Sequence, residues 1–315
     1  MSTLSRSAIL TLSFLIALCP AVAGAWGLQG HAIIGRVATD RLPSELPAFV
    51  RTQAAKDEIT YLQSEEDRLK IGETDELAWT REWTTDHYLD ITDDGKIGGV
   101  VSLNALPSTR DGYEQALMRA PQAQDAYKLG FLPYAILEGY EQVRSDFALW
   151  RLAKRSRPEE VQYRERLTIH DIGIFSHFVG DASQPLHVTV HYNGWGNYPN
   201  PRGFSMDRTI HRQFEDDWVD RYESAQQAAA FFHAPTVLST IPLVEIERYL
   251  QTSKSFVVPF YELQARGGFA MSDNSSAAHR AALRFTASRL AAASEMLDSL
   301  ILTAWRTSAG MRAAD

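Results

Sequence analysis

Residues Ser176–Glu215 read SHFVGDASQPLHVTVHYNGWGNYPNPRGFSMDRTIHRQFE. The stretch opens with His177-x-x-x-Asp181, breaks at Gln184-Pro185 just before His187, and closes with His211-x-x-x-Glu215. Side chains four apart on a helix lie on one face, a turn apart. Each pair can therefore hold one metal ion between an imidazole and a carboxylate, provided that both pairs lie on helices. One such pair arises easily by chance. Two of them around a third histidine, stranded just past a helix-ending proline, point to a metal site on a helical scaffold.

Working outward, Arg164 to Ala182 reads as the helix that carries the first pair, with Leu167, Ile174, Phe178 and Val179 as its core positions. Tyr192 to Phe204 is loop, dense in Gly, Asn, Pro and aromatics. Its aromatics either line a binding cleft or pin an irregular loop to the body. Beyond Glu215, helical stripes run over Ala225–His233, Leu243–Leu263 and Ala277–Trp305, split by Pro242, Pro259 and Gly267-Gly268.

Towards the N-terminus, Ala32–Arg41 carries a helical stripe at Ile33, Ile34 and Val37, and a shorter helix is expected over Leu46–Ala55. Tyr61–Lys70 is acidic and helix-like. Most of its acids belong on a solvated surface, and Asp67 and Asp75 are the two placed to turn inward. Thr84–Asp90 alternates and is rich in β-branched and aromatic types, which predicts a short strand carrying His87. Asp111–Ala153 predicts two long helices separated near Gly130 and Pro133. Without an internal repeat, a low-complexity tract or a linker, residues 26–315 form one all-α domain, with a small amount of strand near 84–103.

The chain of 315 residues is 45% hydrophobic and 22% charged, ordinary for one large globular domain. Its first residues differ. Arg6 precedes an apolar run, Ala8–Leu18, too short to span a bilayer, and Ala23-Gly24-Ala25 has the small-x-small form of a signal-peptidase site. Residues 1–25 thus read as a signal peptide, which predicts a secreted or periplasmic protein beginning at Trp26 and not inserted in a membrane. Cys19, the only cysteine, leaves with that segment, so a metal must be held by His, Asp, Glu and backbone groups. Losing Arg6 moves the net charge from −8 to −9, which argues against gripping a polyanion by bulk charge. A phosphate-bearing substrate would be attracted locally, by metal ions. The freed amine of Trp26, with a pKa near ~8, is a possible nitrogen ligand beside His31, five residues on across two glycines.

Of nine histidines, His170 lies about 10 Å along the helix from His177 at ~1.5 Å per residue, which suits packing or support of a ligand. His191 competes with His187, while His233 and His279 have no evident partner. Imidazole plus carboxylate, without thiolate, suits zinc at a catalytic site.

Trp26-Gly-x-x-Gly-His31, the His87-aromatic-x-Asp90 set, His177-Phe-x-Gly-Asp181-x-x-Gln-Pro-Leu-His187 and His211-x-x-x-Glu215 together resemble the S1/P1 nuclease and zinc-dependent phospholipase C superfamily. The resemblance covers Trp26 to about Asp217, is specific at His177–His187, and is loose over Leu46–Thr80 and the C-terminal helices. It implies a mostly helical cleft with three zinc ions. One would be held by Asp67 (or Asp75), His87, His177 and Asp181. A second would be held by Trp26, through its amine and carbonyl, with His31 and the other oxygen of Asp181. The third would be held by His187, His211 and Glu215. Asp67 and Asp181 become the catalytic acids, and Tyr88, Asp90 and Trp195, with Tyr198, the substrate-binding candidates.

The implied reaction is phosphodiester hydrolysis by metal-activated hydroxide. The implied substrate is single-stranded DNA, RNA or a 3′-nucleotide, stacked on aromatics, and the protein itself is expected to be a monomer. The alternative is a phospholipid substrate. In the third site, Glu215 matches the phospholipases, where the fungal nucleases carry aspartate. A secreted zinc-binding protein without catalysis would carry the same ligands.

Overall fold

The computed structural model describes residues 26–70, 84–120, 122–238, 242–272 and 275–311; the expected signal peptide and Asp75 lie outside them. Helix dominates. α1 (Gly27–Thr39), α2 (Gln53–Leu62), α3 (Glu65–Arg68), α4 (Arg110–Met118), α5 (Leu132–Ser156) and α6 (Val161–Asp181) come first. Then Ile210–Arg212, Gln213–Trp218 and Val219–Tyr222 run on as one helical stretch, α7, whose middle part is a π-helix. α8 (Ala225–Ala229), α9 (Pro242–Ser255), α10 (Val257–Ala265) and α11 (Ala277–Ser308) follow. Among the described residues, strand is confined to β1 (Lys96–Ile97) and β2 (Val101–Ser102), an antiparallel pair, with isolated bridges from Ile91 to Ile97 and from Tyr192 to Gly194. The all-α expectation, with a little strand near 84–103, matches this architecture.

Several local expectations need correction. Thr84–Asp90 is not a strand: Thr84 and Thr85 end a helical turn, and the extended residues after it pair with loops. Leu89 N–H donates to His187 O and Asp90 N–H to Leu129 O, each at 2.8 Å. β-propensity found an extended backbone here, but its partners are the turn after α6 and the loop before α5. Leu46–Ala55 is a 3₁₀ turn, Ala48–Arg51, followed by α2, whose N-terminus Thr52 caps by accepting from Ala55 N–H at 3.2 Å. Pro133 and Pro259 lie in the first turns of α5 and α10, where a missing N–H costs nothing. Those prolines start helices instead of splitting them, and α4 is short.

Leu167 is exposed, because the N-terminal half of α6 lies on the surface. Its buried stripe is Thr168, Ile172 and Phe175, after which the helix is buried on every side from Phe175 to Asp181.

α6 packs against α5, α2, α11 and α1. Two hydrophobic clusters flank its last turn. One gathers Phe131, Ile136, Phe147, Ile172, Phe175, Val179 and Val188. The other gathers Trp26, Ile34, Leu186, Trp195, Phe214, Trp218 and Phe260. Each fully buried side chain of this size contributes about 1.5–3 kcal/mol. Leu186 and Val188 enter opposite clusters, so His187, between them, is held at the seam.

Candidate metal centre

The last turn of α6 places His177 and Asp181 on one inward face. Asp181 Oδ1 lies 3.3 Å from His31 Nε2, and its Oδ2 lies 3.1 Å from His87 Nδ1 and 3.4 Å from His177 Nε2. His31 reaches this point because Gly180 has no side chain. A Cβ there would sit 3.1 Å from the His31 ring. Trp26 fixes the approach of α1: its buried indole N–H donates to Gly180 O at 3.0 Å and Ser183 Oγ at 2.9 Å. The two bonds fix the Trp26 ring against the end of α6. The Trp26 carbonyl accepts from Gly30 N–H at 3.0 Å.

Asp67, on α3, turns inward as expected. Its oxygens lie 3.9 Å from the facing nitrogens of His31, His87 and His177. Two donor sets result, His31/His177/Asp181 and Asp67/His87/His177, which share His177.

The third set stands apart. His211 Nε2 is 2.8 Å from Glu215 Oε2, His187 Nε2 is 3.6 Å from the same oxygen, and the two Nε2 atoms are 3.1 Å apart. The i, i+4 pair closes across the junction into the π-helical part of α7, a local form that recurs at functional sites. The tautomers follow from the carbonyls behind the rings. His187 Nδ1 donates to His87 O at 2.6 Å, and His211 Nδ1 donates to Tyr192 O at 3.0 Å. A carbonyl has no proton to give, so both Nδ1 atoms carry theirs. In the neutral rings, two bare Nε2 lone pairs then face each other beside a buried carboxylate. That arrangement calls for a positive charge between them, either a metal ion or a proton shared with Glu215, which raises His187 against its burial. His177 is oriented in the same way, with Nδ1 donating to Gln63 O at 2.7 Å.

Further orphans support the same conclusion. Both nitrogens of His31, His87 Nε2, Asp67 Oδ2, Asp181 Oδ1 and Glu215 Oε1 are buried without hydrogen-bond partners, each a cost unless something else satisfies it. Burial and Lys70 push His87 down to about 3. Burial opposes protonation of His177 too, yet Asp181 and Asp67 raise it to about 9. The two facing rings, 2.8 Å apart, thus hold one positive charge between them. Against its own burial, Asp67 is kept well below the usual carboxylate range by Lys70 and the three imidazoles.

A pocket of about 250 Å³ opens on both donor groups, lined by Lys70, His87, His187 and His211 and, further out, by Tyr88, Asp90, Tyr192 and Asn193. Burial raises Asp90 to about 7, and Asn193 Oδ1 is buried without a partner. Tyr88 and Asp90 thus line this pocket. Trp195 does not: it stacks on His191 at 3.7 Å, donates to Pro199 O at 2.9 Å and is buried in the second cluster. It pins the loop and lines no part of this pocket. Tyr198 is exposed beside it.

The other histidines are likewise settled by their partners. His191 spans Trp195 O and Asp93 at 2.8 and 3.0 Å, which leaves it no part in the His187 set. His170 is exposed and paired with Asp171, so it neither packs nor supports a ligand. His233 pairs with Glu295, and His279 packs on Trp218 and Tyr222.

Lys70, Gln184 and Asn193 were missed in the sequence. Lys70 is buried and donates to Asp67 Oδ1 at 2.8 Å; its only signal was the i, i+3 spacing in an acidic helix. Gln184 donates to Glu215 Oε2 at 3.2 Å and accepts from Leu186 N–H at 2.6 Å. Glu66, expected on the surface, is buried.

No family model and no curated protein matches this chain. Several solved structures are similar to it, among them two alpha toxins. One is the alpha-toxin of Clostridium perfringens from avian strain SWCP, 16% identical, with a TM-score of 0.41 over 93% of this chain and 67% of that one. The other is the alpha toxin of Clostridium absonum, 12% identical, with a TM-score of 0.43 over 89% of this chain and 64% of that one. Neither likeness transfers a residue role or an activity.

Proposed function

We propose that this chain is a three-zinc phosphodiesterase acting on single-stranded nucleic acid or nucleotides. The observation that carries the metal reading is the His187–His211–Glu215 arrangement, whose two Nε2 atoms and buried carboxylate converge on one point. Nitrogen and oxygen donors without thiolate fit zinc at catalytic sites, and the orphaned donors around Asp181 fit two further ions. Asp67, His87, His177 and Asp181 would hold one; His31, Asp181 and the backbone of Trp26 the second; His187, His211 and Glu215 the third. Zinc bound there supplies Lewis acidity and lowers the pKa of water towards neutrality.

The chain's own residues do the rest. Lys70, seated on Asp67 at the pocket wall, presents its ammonium to a phosphate oxygen. Asp90 and Asn193 offer a hydrogen-bonding pair to the edge of a base, against the ring of Tyr88. Gln184 and the carbonyls of Gln63, His87 and Tyr192 hold the ligands in orientation.

A second reading, a phospholipid substrate, is favoured by the exposed Tyr192, Tyr198 and Met206 on the loop beside the pocket. Turnover of single-stranded DNA, RNA, 3′-nucleotides and phosphatidylcholine, side by side with and without chelator, separates the two. Chelator-sensitive cleavage of nucleic acid is expected, and lipid-only turnover would replace the first reading with the second. Zinc binding without any turnover would leave a metal-binding protein. We also propose export with cleavage before Trp26. Protein retaining residues 1–25 should then hold less zinc and turn over more slowly, and full activity in that form removes Trp26 from the ligand set.

A further inference from the structure

On a different face, a groove of about 530 Å³ runs between α9, α11 and the segment after α8, lined by Thr236, Arg248, Tyr249, Thr252, Arg289 and Ser299 among others. Its floor is Arg289, only 8% exposed. The guanidinium stacks on Phe256, 3.8 Å from the ring centroid. It donates no hydrogen bond and has no carboxylate in ion-pair range among the described residues, and its Nε is buried without a partner. The acids lining the groove are engaged elsewhere: Glu295 accepts from His233 through both its backbone N–H and Nδ1, at 2.8 and 2.9 Å, and Glu245 pairs with Arg248 at 3.0 Å.

A guanidinium stays charged when buried, and Glu295, bound to His233, acts on this one only beyond ion-pair range, which leaves room for a closer counter-charge. The groove is the side on which one can reach it. The ring of Phe256 holds the guanidinium plane fixed, which suits an oxyanion taking two parallel N–H bonds. Thr236 lines the same walls, while the Thr252 and Ser299 hydroxyls there donate to Arg248 O and Glu295 O at 2.8 and 2.7 Å.

We propose that this groove is a phosphate-binding site centred on Arg289, separate from the metal centre and independent of the activity proposed for it. The ligand is a phosphate group, either free or within a diester.

Equilibrium dialysis of zinc-loaded protein against inorganic phosphate, and separately against dimethyl phosphate, tests this. Wild type should bind one phosphate more per chain than Arg289→Met, with equal zinc content. Arg289→Lys, which keeps the charge and the stem, should bind that phosphate about tenfold more weakly, through loss of the paired geometry. The Arg289-dependent phosphate should persist in Glu215→Gln. Binding of inorganic phosphate alone assigns a free phosphate, and binding of both probes assigns a diester; either upholds the site. Equal binding by wild type and both Arg289 variants would overturn it, as would disappearance of the extra phosphate in Glu215→Gln.

Discussion

Metal removal should destabilise this fold in separable steps, because the donor sets overlap unequally. Two sets share His177, and Asp181 stands 3.1–3.4 Å from three imidazoles, whereas His187/His211/Glu215 shares no donor with either. Zinc at a hundred times its Kd stabilises the native state by about 2.7 kcal/mol per site, so three sites contribute about 8 kcal/mol. That is comparable with the entire stability of an ordinary domain, about 5–15 kcal/mol. At roughly 2 °C per kcal/mol for a chain of this size, full chelation should lower Tm by about 16 °C. Asp181→Asn should lose the two coupled ions and about two thirds of that shift; Glu215→Gln should lose one ion and about a third. Elemental analysis gives the ion count and calorimetry the Tm. Loss of all ions from Glu215→Gln, or three ions retained by Asp181→Asn, would refute the division into a coupled pair and a separate site.

Lys70→Met should leave zinc content unchanged and reduce kcat by about 10²–10³, the effect of removing one donor to developing charge; an unchanged kcat would show that Lys70 only steadies Asp67. Tyr88→Ala should raise KM for single-stranded DNA. Trp195→Leu should leave KM alone and cost about 2–4 kcal/mol of stability, as steady-state kinetics and denaturant melts will report. Glu223 is buried with both oxygens unpartnered, and burial raises it from 4.5 to about 8. A raised carboxyl binds its proton in the fold, so stability is full below pH 4.5 and falls as pH rises towards 8. The upper bound is about 5 kcal/mol at ~1.4 kcal/mol per unit. Glu223→Gln should flatten that decline in pH-dependent melts, and an unchanged slope would show that Glu223 is not its source.

What could be read from the chain, and what could not, divides along a physical line. His177-x-x-x-Asp181 and His211-x-x-x-Glu215 were legible because helical spacing converts directly into distance. The turn at Gln184-Pro185 likewise told where a helix must stop. His87 was harder: its segment is extended, but its backbone partners, His187 and Leu129, are distant in sequence, and propensity alone turned it into a strand. Trp195 and Leu167 failed for a related reason. Composition marks an aromatic or a leucine as fit for burial or binding, while the element packed against it decides which. For Trp195 that element is α10, whose Tyr261 lies 5.2 Å away, with Phe204 of its own loop at 4.7 Å. Leu167 lies on the side of α6 that faces solvent, while Glu165 and Thr168 on the other side pack inward.

Lys70 and Gln184 show where spacing stops helping. Neither residue type announces a metal centre, and each acquires meaning only from the carboxylate it faces, Asp67 at 2.8 Å and Glu215 at 3.2 Å. A ligand can be guessed from its chemistry because a metal restricts which atoms can bind it. The groups that orient ligands are under no such restriction, since any donor at the right place will serve. The carbonyls of Gln63, His87 and Tyr192, which fix three imidazole tautomers, are common to every residue type and so leave no mark in the sequence at all. Yet they determine that Nε2 of each ring is the free atom, and on that the metal reading of the third site depends.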